Sequence, residues 1–155
     1  MISATLKRPM HLILTRLKLE ALLVSHGFSV RVQSGTIWVA SQFGRFPVLI
    51  SHSADCGYRV QARIVYGACA GMDDELSDFI AAVNLRDDGV RLVVDDAGEV
   101  VFSWEQVFSD SVECDSVVRG LARIGDACVE VGNELAERFF VNRLPVADIR
   151  EGGVR

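Results

Sequence analysis

MDDELSDFIAAVNLRDDGVRLVVDDAGEVVFSWEQVFSDSVECDSVVRGLARIGDACVEVGNELAERFF, residues 72–140, reads from its periodicities as helix, hairpin and long helix. Asp73, Asp74 and Glu75 place negative charge where a helix N-terminus favours it. Leu76, Phe79, Ile80 and Val83 follow at helical spacing, and the helix is expected to close near Asn84, ahead of Asp87-Asp88-Gly89. The period then drops to two. Val90, Leu92 and Val94 alternate, Asp95-Asp96-Ala97-Gly98 turns the chain, and Val100, Phe102 and Trp104 return along a second strand. Ser111 or Asp110 stands where it can cap a last helix, whose apolar stripe runs through Val117, Val118, Leu121, Ile124, Cys128, Val131, Leu135 and Phe139. A helix of about 27 residues spans on the order of 40 Å, the width of a small domain, so it is expected to lie across the sheet. Gly125 and Gly132 lie on or beside the stripe, where each costs about 1 kcal/mol relative to Ala. Close packing and a bend are the two explanations.

Upstream, Pro9 suits a first helical turn, and Leu12, Ile13, Leu17, Leu19, Leu22 and Leu23 make a broad apolar face over about residues 9 to 25. Gly27 can take the left-handed conformation that closes such a helix. Val30 and Val32 alternate with Arg31 and Gln33, Ser34-Gly35 supplies a tight turn, and Ile37 and Val39 resume around Trp38, which describes a hairpin. A third strand is expected over Phe46 to Ser51, with Pro47 near its start or at an edge. After the polar turn Ser53 to Gly57, a fourth carries Tyr58, Val60, Ala62, Ile64 and Tyr66 on one side and Arg59, Gln61 and Arg63 on the other, until Gly67 to Gly71 breaks it.

The chain has 155 residues, enough for one domain that buries about 68 to 70% of its unfolded surface. Sixteen Lys plus Arg against 21 Asp plus Glu leave a net charge of -5, which removes the electrostatic basis for general nucleic-acid binding. Hydrophobic residues are 50% of the chain and mean hydropathy is +0.26, a surplus that points to apolar surface buried between subunits. The best candidate membrane segment, Met10 to Val24, is broken by Arg16, Lys18 and Glu20, and the same charges interrupt any signal-peptide core after Lys7 and Arg8. A cytoplasmic protein without an export signal is therefore expected. Cys56, Cys69, Cys114 and Cys128 are widely spaced, without a Cys-x-x-Cys pair, and read as reduced thiols.

Chemistry-bearing residue types concentrate at Ser51-His52-Ser53-Ala54-Asp55-Cys56, where His52 could activate the Cys56 thiol or the Ser53 hydroxyl of a small hydrolase. A base needs a third group to orient it, so the segment reads instead as a hairpin connection. The carboxylates at Asp73 to Glu75, Asp87, Asp88, Asp95 and Asp96 lack the spacing of a calcium loop and read as helix-start and turn residues. His11, His26 and His52 form no zinc pattern, and the glycines build no phosphate cradle, so no metal and no cofactor is expected. No catalytic residue is assigned.

The second face of the expected sheet is more apolar than a solvated face should be. Trp38, Leu49, Val65, Val93, Val101 and Val107 have the parity opposite to the core residues. They read either as a protein-binding strip for a twin subunit or a client segment, or as part of the core if helices cover both faces or a bulge shifts the parity.

The element order, with Phe79-Ile80-Ala81-Ala82-Val83-Asn84 closing the middle helix, Val90 to Asp95, the Asp96-Ala97-Gly98 turn, Val100-Val101-Phe102 and the helix after Ser111, resembles the type III secretion chaperone-like fold. More narrowly it resembles the YbjN-like family of bacterial proteins, over about two thirds of the chain. The resemblance implies a homodimeric, non-enzymatic protein that binds other proteins and takes part in stress or sensory regulation. The fold class expected is α+β: an antiparallel β-sheet with N-terminal, middle and long C-terminal helices, ordered α-β-β-β-β-α-β-β-α. Residues 1–140 form one domain in this reading and 141–155 a flexible tail. The leading function is a chaperone-like or adaptor module that binds an unknown client, with no nucleic acid and no membrane as partner. The alternatives are a small-molecule sensor, with a ligand between sheet and long helix, and the His52 thiol or serine hydrolase.

Overall fold

The computed structural model describes residues 4–41, 44–86, 89–139 and 141–143, with the side chains of residues 4–10 and 143 outside that description. Helix α1 (Ala4–Ser25) is followed by strands β1 (Val30–Gln33), β2 (Thr36–Ser41), β3 (Gly44–Ser53) and β4 (Gly57–Ala68). Helix α2 (Asp74–Asn84), the hairpin β5 (Val90–Val94) and β6 (Glu99–Phe108), helix α3 (Cys114–Phe139) and the short β7 (Asn142–Arg143) complete the described elements. All pairings are antiparallel, and the sheet runs β1-β2-β3-β4-β6-β5, with β7 beside the end of β4. This is the α+β architecture expected of the sequence.

Local chemistry sets most boundaries. The α1 C-terminus closes at Gly27, whose φ is +88°: Gly27 N–H donates to Val24 C=O and Phe28 N–H to Leu23 C=O, which satisfies carbonyls the helix leaves open. The first hairpin turns through Ser34 and Gly35, both at positive φ, the pair of conformations that matches the strands' twist. Asp73 caps α2 by accepting from Leu76 N–H at 2.8 Å.

Some boundaries differ from the sequence pattern. Helix α1 begins five residues before Pro9, because the apolar periodicity marking it starts only at Leu12. Helix α3 begins at Cys114, so neither Ser111 nor Asp110 is its cap; Val117 N–H bonds Glu113 C=O, which places the cap at Glu113. Strand β4 runs past Tyr66 to Ala68 through a bulge between Val65 and Gly67. Val141 is buried and β7 pairs with Gly67 and Ala68, so the expected tail gives way to packed chain over 141–143. Residues 144–155 and the Asp87-Asp88 turn lie outside the described residues.

One continuous core lies between the sheet and the three helices, which pack on the same face. Helix α3 crosses β4, β6 and β5, and two of its glycines receive aromatic rings from the sheet. A Cβ at Gly120 would fall inside the Trp104 indole, and one at Gly132 would lie 2.6 Å from Tyr66 Cε2. Tyr66 OH donates to the Gly132 carbonyl at 2.9 Å. Close packing therefore explains Gly132, whereas Gly125 has nothing within 4 Å of a Cβ. At one sheet edge, Asn84 bonds both backbone groups of Leu92, its amide donating to the carbonyl at 2.9 Å and its oxygen accepting from the N–H at 2.7 Å. The end of α2 thus stands in for a missing neighbour of β5.

Candidate functional site

The face of the sheet turned away from the helices holds all six residues singled out by parity. Leu49, Val93 and Val107 are exposed at 48 to 49%, and Trp38 and Val65 are half-buried. The described helices all lie on the other face, so among the described residues these six form no second helix-packed layer, and the β4 bulge lies beyond them. Val65, Val101 and Val93 stand side by side across β4, β6 and β5. Val101, in the middle of that row, is only 2% exposed although no described helix lies over it. Trp38 pairs with Pro47 across β2 and β3, and Leu49 with Gln61 across β3 and β4.

Charge on this face runs against the chain's net balance. Arg63, Ser103 and Arg91 form one row across three strands, and Arg59 pairs with Val107 in another. Glu105 is the carboxylate set among them. It takes Arg59 Nε at 3.3 Å and accepts from Gln61 Nε2 at 3.0 Å. Both partners of that ion pair are about half exposed, so it contributes little to stability and serves mainly to orient the groups. A shallow depression of about 300 Å³ lies over Val93 and Val101, bordered by Gln61, Arg63, Ser103 and Glu105. A second, of about 150 Å³, lies among Trp38, Gly44 to Pro47 and Arg63 to Val65. Apolar floor with cationic rim suits contact with an extended chain that carries both apolar and acidic side chains.

The His52 cluster does not assemble for catalysis. His52 turns toward the core side and packs edge-on against Tyr58, ring centroids 4.6 Å apart, and its buried Nδ1 has no hydrogen-bond partner among the described residues. Ser53 Oγ accepts from Cys56 N–H at 3.0 Å, which makes it a turn acceptor. His52 hydrogen-bonds neither Ser53 nor Cys56, so the base, the nucleophile and an orienting group are not brought together. Burial pushes the Cys128 thiol up to about 12 and raises Cys114 as well, against a smaller opposing effect of Lys18, so neither offers a thiolate near neutral pH. His11 bonds the Tyr58 hydroxyl through Nδ1 at 3.2 Å. Asp95 Oδ1 accepts from Ala97 and Glu99 N–H, and with Asp73 capping α2 these acidic residues act as turn and helix-start acceptors. Between sheet and α3, where a small ligand was an alternative, Trp104 and Tyr66 occupy the space against Gly120 and Gly132.

Sequence reasoning missed a second apolar surface. Ile13, Leu14, Leu17 and Val24 point outward from α1, each more than half exposed, while Leu19 and Leu23 face the core. The signal was present: apolar residues on α1 cover more of the helix circumference than one packed stripe requires.

This arrangement, three helices on one face of a six-strand antiparallel path whose other face no described helix covers, is the α+β fold of the type III secretion chaperones. Among solved structures it is similar to the Yersinia pestis type III secretion chaperone SycH, crystallised in complex with a stable fragment of YscM2, with a TM-score of 0.50 and 16% identity. The likeness covers 74% of this chain and 98% of the matched one, and at that identity it is a likeness of fold. No family model matches the chain, and no curated protein matches it. No described helix is long and apolar enough to cross a membrane.

Proposed function

We propose that this chain is a non-catalytic protein-binding module, chaperone-like or a regulatory adaptor, that works as a homodimer and holds an extended segment of another protein on the open face of its sheet. The observation that carries the reading is the exposed Leu49, Val93 and Val107, with half-buried Trp38 and Val65, on a sheet face that no described helix covers. Binding draws its energy from apolar burial at about 25 cal/mol per Å², and the arginine rim selects the partner. The similar fold of SycH, seen with a protein fragment, supports a protein as the partner class. The sequence resemblance to YbjN-like proteins supports the narrower assignment: that family, a cytoplasmic location, and a place in stress or sensory regulation. Apolar side chains exposed on both α1 and the open face support self-association.

Titration with reduced, carboxymethylated α-lactalbumin, a permanently unfolded chain, tests the binding. Wild type is expected to bind it, and Trp38→Glu and Val93→Glu to weaken binding at least tenfold with unchanged thermal melting. Val101 is a poor choice for this purpose because its burial ties it to folding. Absence of binding by the folded wild type, or binding indifferent to both variants, overturns the reading. Molar mass by light scattering over a dilution series tests the homodimer, which a strictly monomeric wild type refutes.

A further inference from the structure

The sheet is split where β3 should continue its pairing with β4. The β3–β4 register runs from Ser53↔Gly57 to Val48↔Ala62 and stops there. The next β3 residue is Pro47, which has no N–H to extend the ladder. Among the described strands, Gly44 to Pro47 go on pairing with β2 alone, and Arg63 to Val65 with β6 alone, until β7 joins β4 at Gly67. The 150 Å³ depression described above is this slit, with Trp38 at its side. Arg45, one of its lining residues, has a buried Nη1 with no hydrogen-bond partner among the described residues. Arg63 lines the opposite wall and forms none of the ion pairs of the described residues.

A buried guanidinium N–H without an acceptor carries its full desolvation cost, and an arginine fork satisfies that cost best with a carboxylate. We propose that the slit between Gly44–Pro47 and Arg63–Val65 is a seat for one carboxylate side chain of the bound protein segment, held between Arg45 and Arg63. This rests on the protein-binding reading above and specifies its partner as a segment with an Asp or Glu flanked by apolar residues. The apolar flanks lie on Trp38 to one side and on the Val65-Val101-Val93 row to the other. The chain's net charge of -5 disfavours a polyanion as occupant, and the slit's size suits a single side chain.

Selection of a random dodecapeptide phage library against the whole protein, and in parallel against Arg45→Gln and Arg63→Gln, tests the seat. Wild type is expected to enrich peptides with an acidic residue at a fixed place among apolar ones, and the variants to enrich peptides without that acid. For a wild-type peptide, replacing its Asp by Asn or its Glu by Gln should weaken binding to unmodified protein at least tenfold, a measurement independent of how the variants fold. Apolar peptides that bind the open face with no acid preference, or an amide analogue that binds as well as the acid, overturn the seat and leave the protein-binding reading standing. No enrichment by folded wild type overturns both. Enrichment of acidic peptides unaffected by either arginine variant overturns the assignment to the slit.

Discussion

Alanine introduced at three glycines of α3 should give opposite signs on one helix. In the interior of a helix Gly→Ala gains about 1 kcal/mol from backbone entropy alone. At Gly125 nothing lies within 4 Å of the new Cβ, so the whole gain should appear. Unfolding entropy of about 2 cal/mol/K per residue makes 1 kcal/mol worth about 3 °C in a chain of this length. Gly125→Ala is therefore expected to raise Tm by about 3 °C. At Gly132 the same methyl meets the Tyr66 ring at 2.6 Å and displaces a hydroxyl bonded to the Gly132 carbonyl. Overpacking of about 1–3 kcal/mol and a lost hydrogen bond of about 1 kcal/mol outweigh the helix gain, leaving a net destabilisation of about 1–3 kcal/mol. Gly120→Ala, aimed into the Trp104 indole with both residues buried, should cost at least as much. Urea unfolding followed by far-UV circular dichroism, at fixed protein concentration, reads all three. Destabilisation by Gly125→Ala, or neutrality at both Gly120 and Gly132, would refute the argument that α3 is seated on the sheet by these two rings.

Three further perturbations follow from single contacts. Asn84→Ala removes both bonds to the Leu92 backbone and should cost about 1–2 kcal/mol, whereas Asn84→Asp keeps an acceptor for Leu92 N–H but sets a carboxylate oxygen against the Leu92 carbonyl and should cost at least as much near neutral pH; chemical denaturation of the pair compares them. The Cys128 thiol is raised from 9.0 to about 12 by burial, so the folded state holds its proton where the unfolded chain has lost it. Stability is then fully present below pH 9 and falls between pH 9 and 12 by up to about 1.4 kcal/mol per unit, a slope that should be shallower in Cys128→Ala. Native-state titration with a thiol-reactive disulfide should modify Cys56 first, with Cys114 and Cys128 protected until urea is added; mass spectrometry of the singly modified protein identifies the site, and early labelling of Cys128 would contradict its burial.

Elements with a strong period and marked ends were legible in the sequence. The second hairpin and α2 combine alternation or helical spacing with Asp, Asn and Gly at their limits, the body of α3 carries a continuous apolar stripe, and local chemistry there agrees with tertiary packing. The second-face residues were also legible, since parity needs only strand identity. What escaped depends on contacts distant in sequence. The sharing of α1 between a core side and an exposed side is decided by where α3 and β3 lie. Gly120 looks unremarkable until Trp104, sixteen positions earlier, is placed against it. Pro47 was recognised as unable to sit inside a ladder on both sides. The slit it leaves could be drawn only once β2, β3 and β4 were in register.

The Asn84 contact also sets how copies of this molecule can join. On an outer strand only alternate residues turn both backbone groups away from the sheet, and on five-residue β5 the central such residue, Leu92, is already occupied. At the opposite end no described strand pairs with the outer side of β1. A molecule with two receptive edges can be added to without limit, and the product is a fibre. Were copies to join edge to edge, the one receptive edge among the described strands would end the reaction after a single addition.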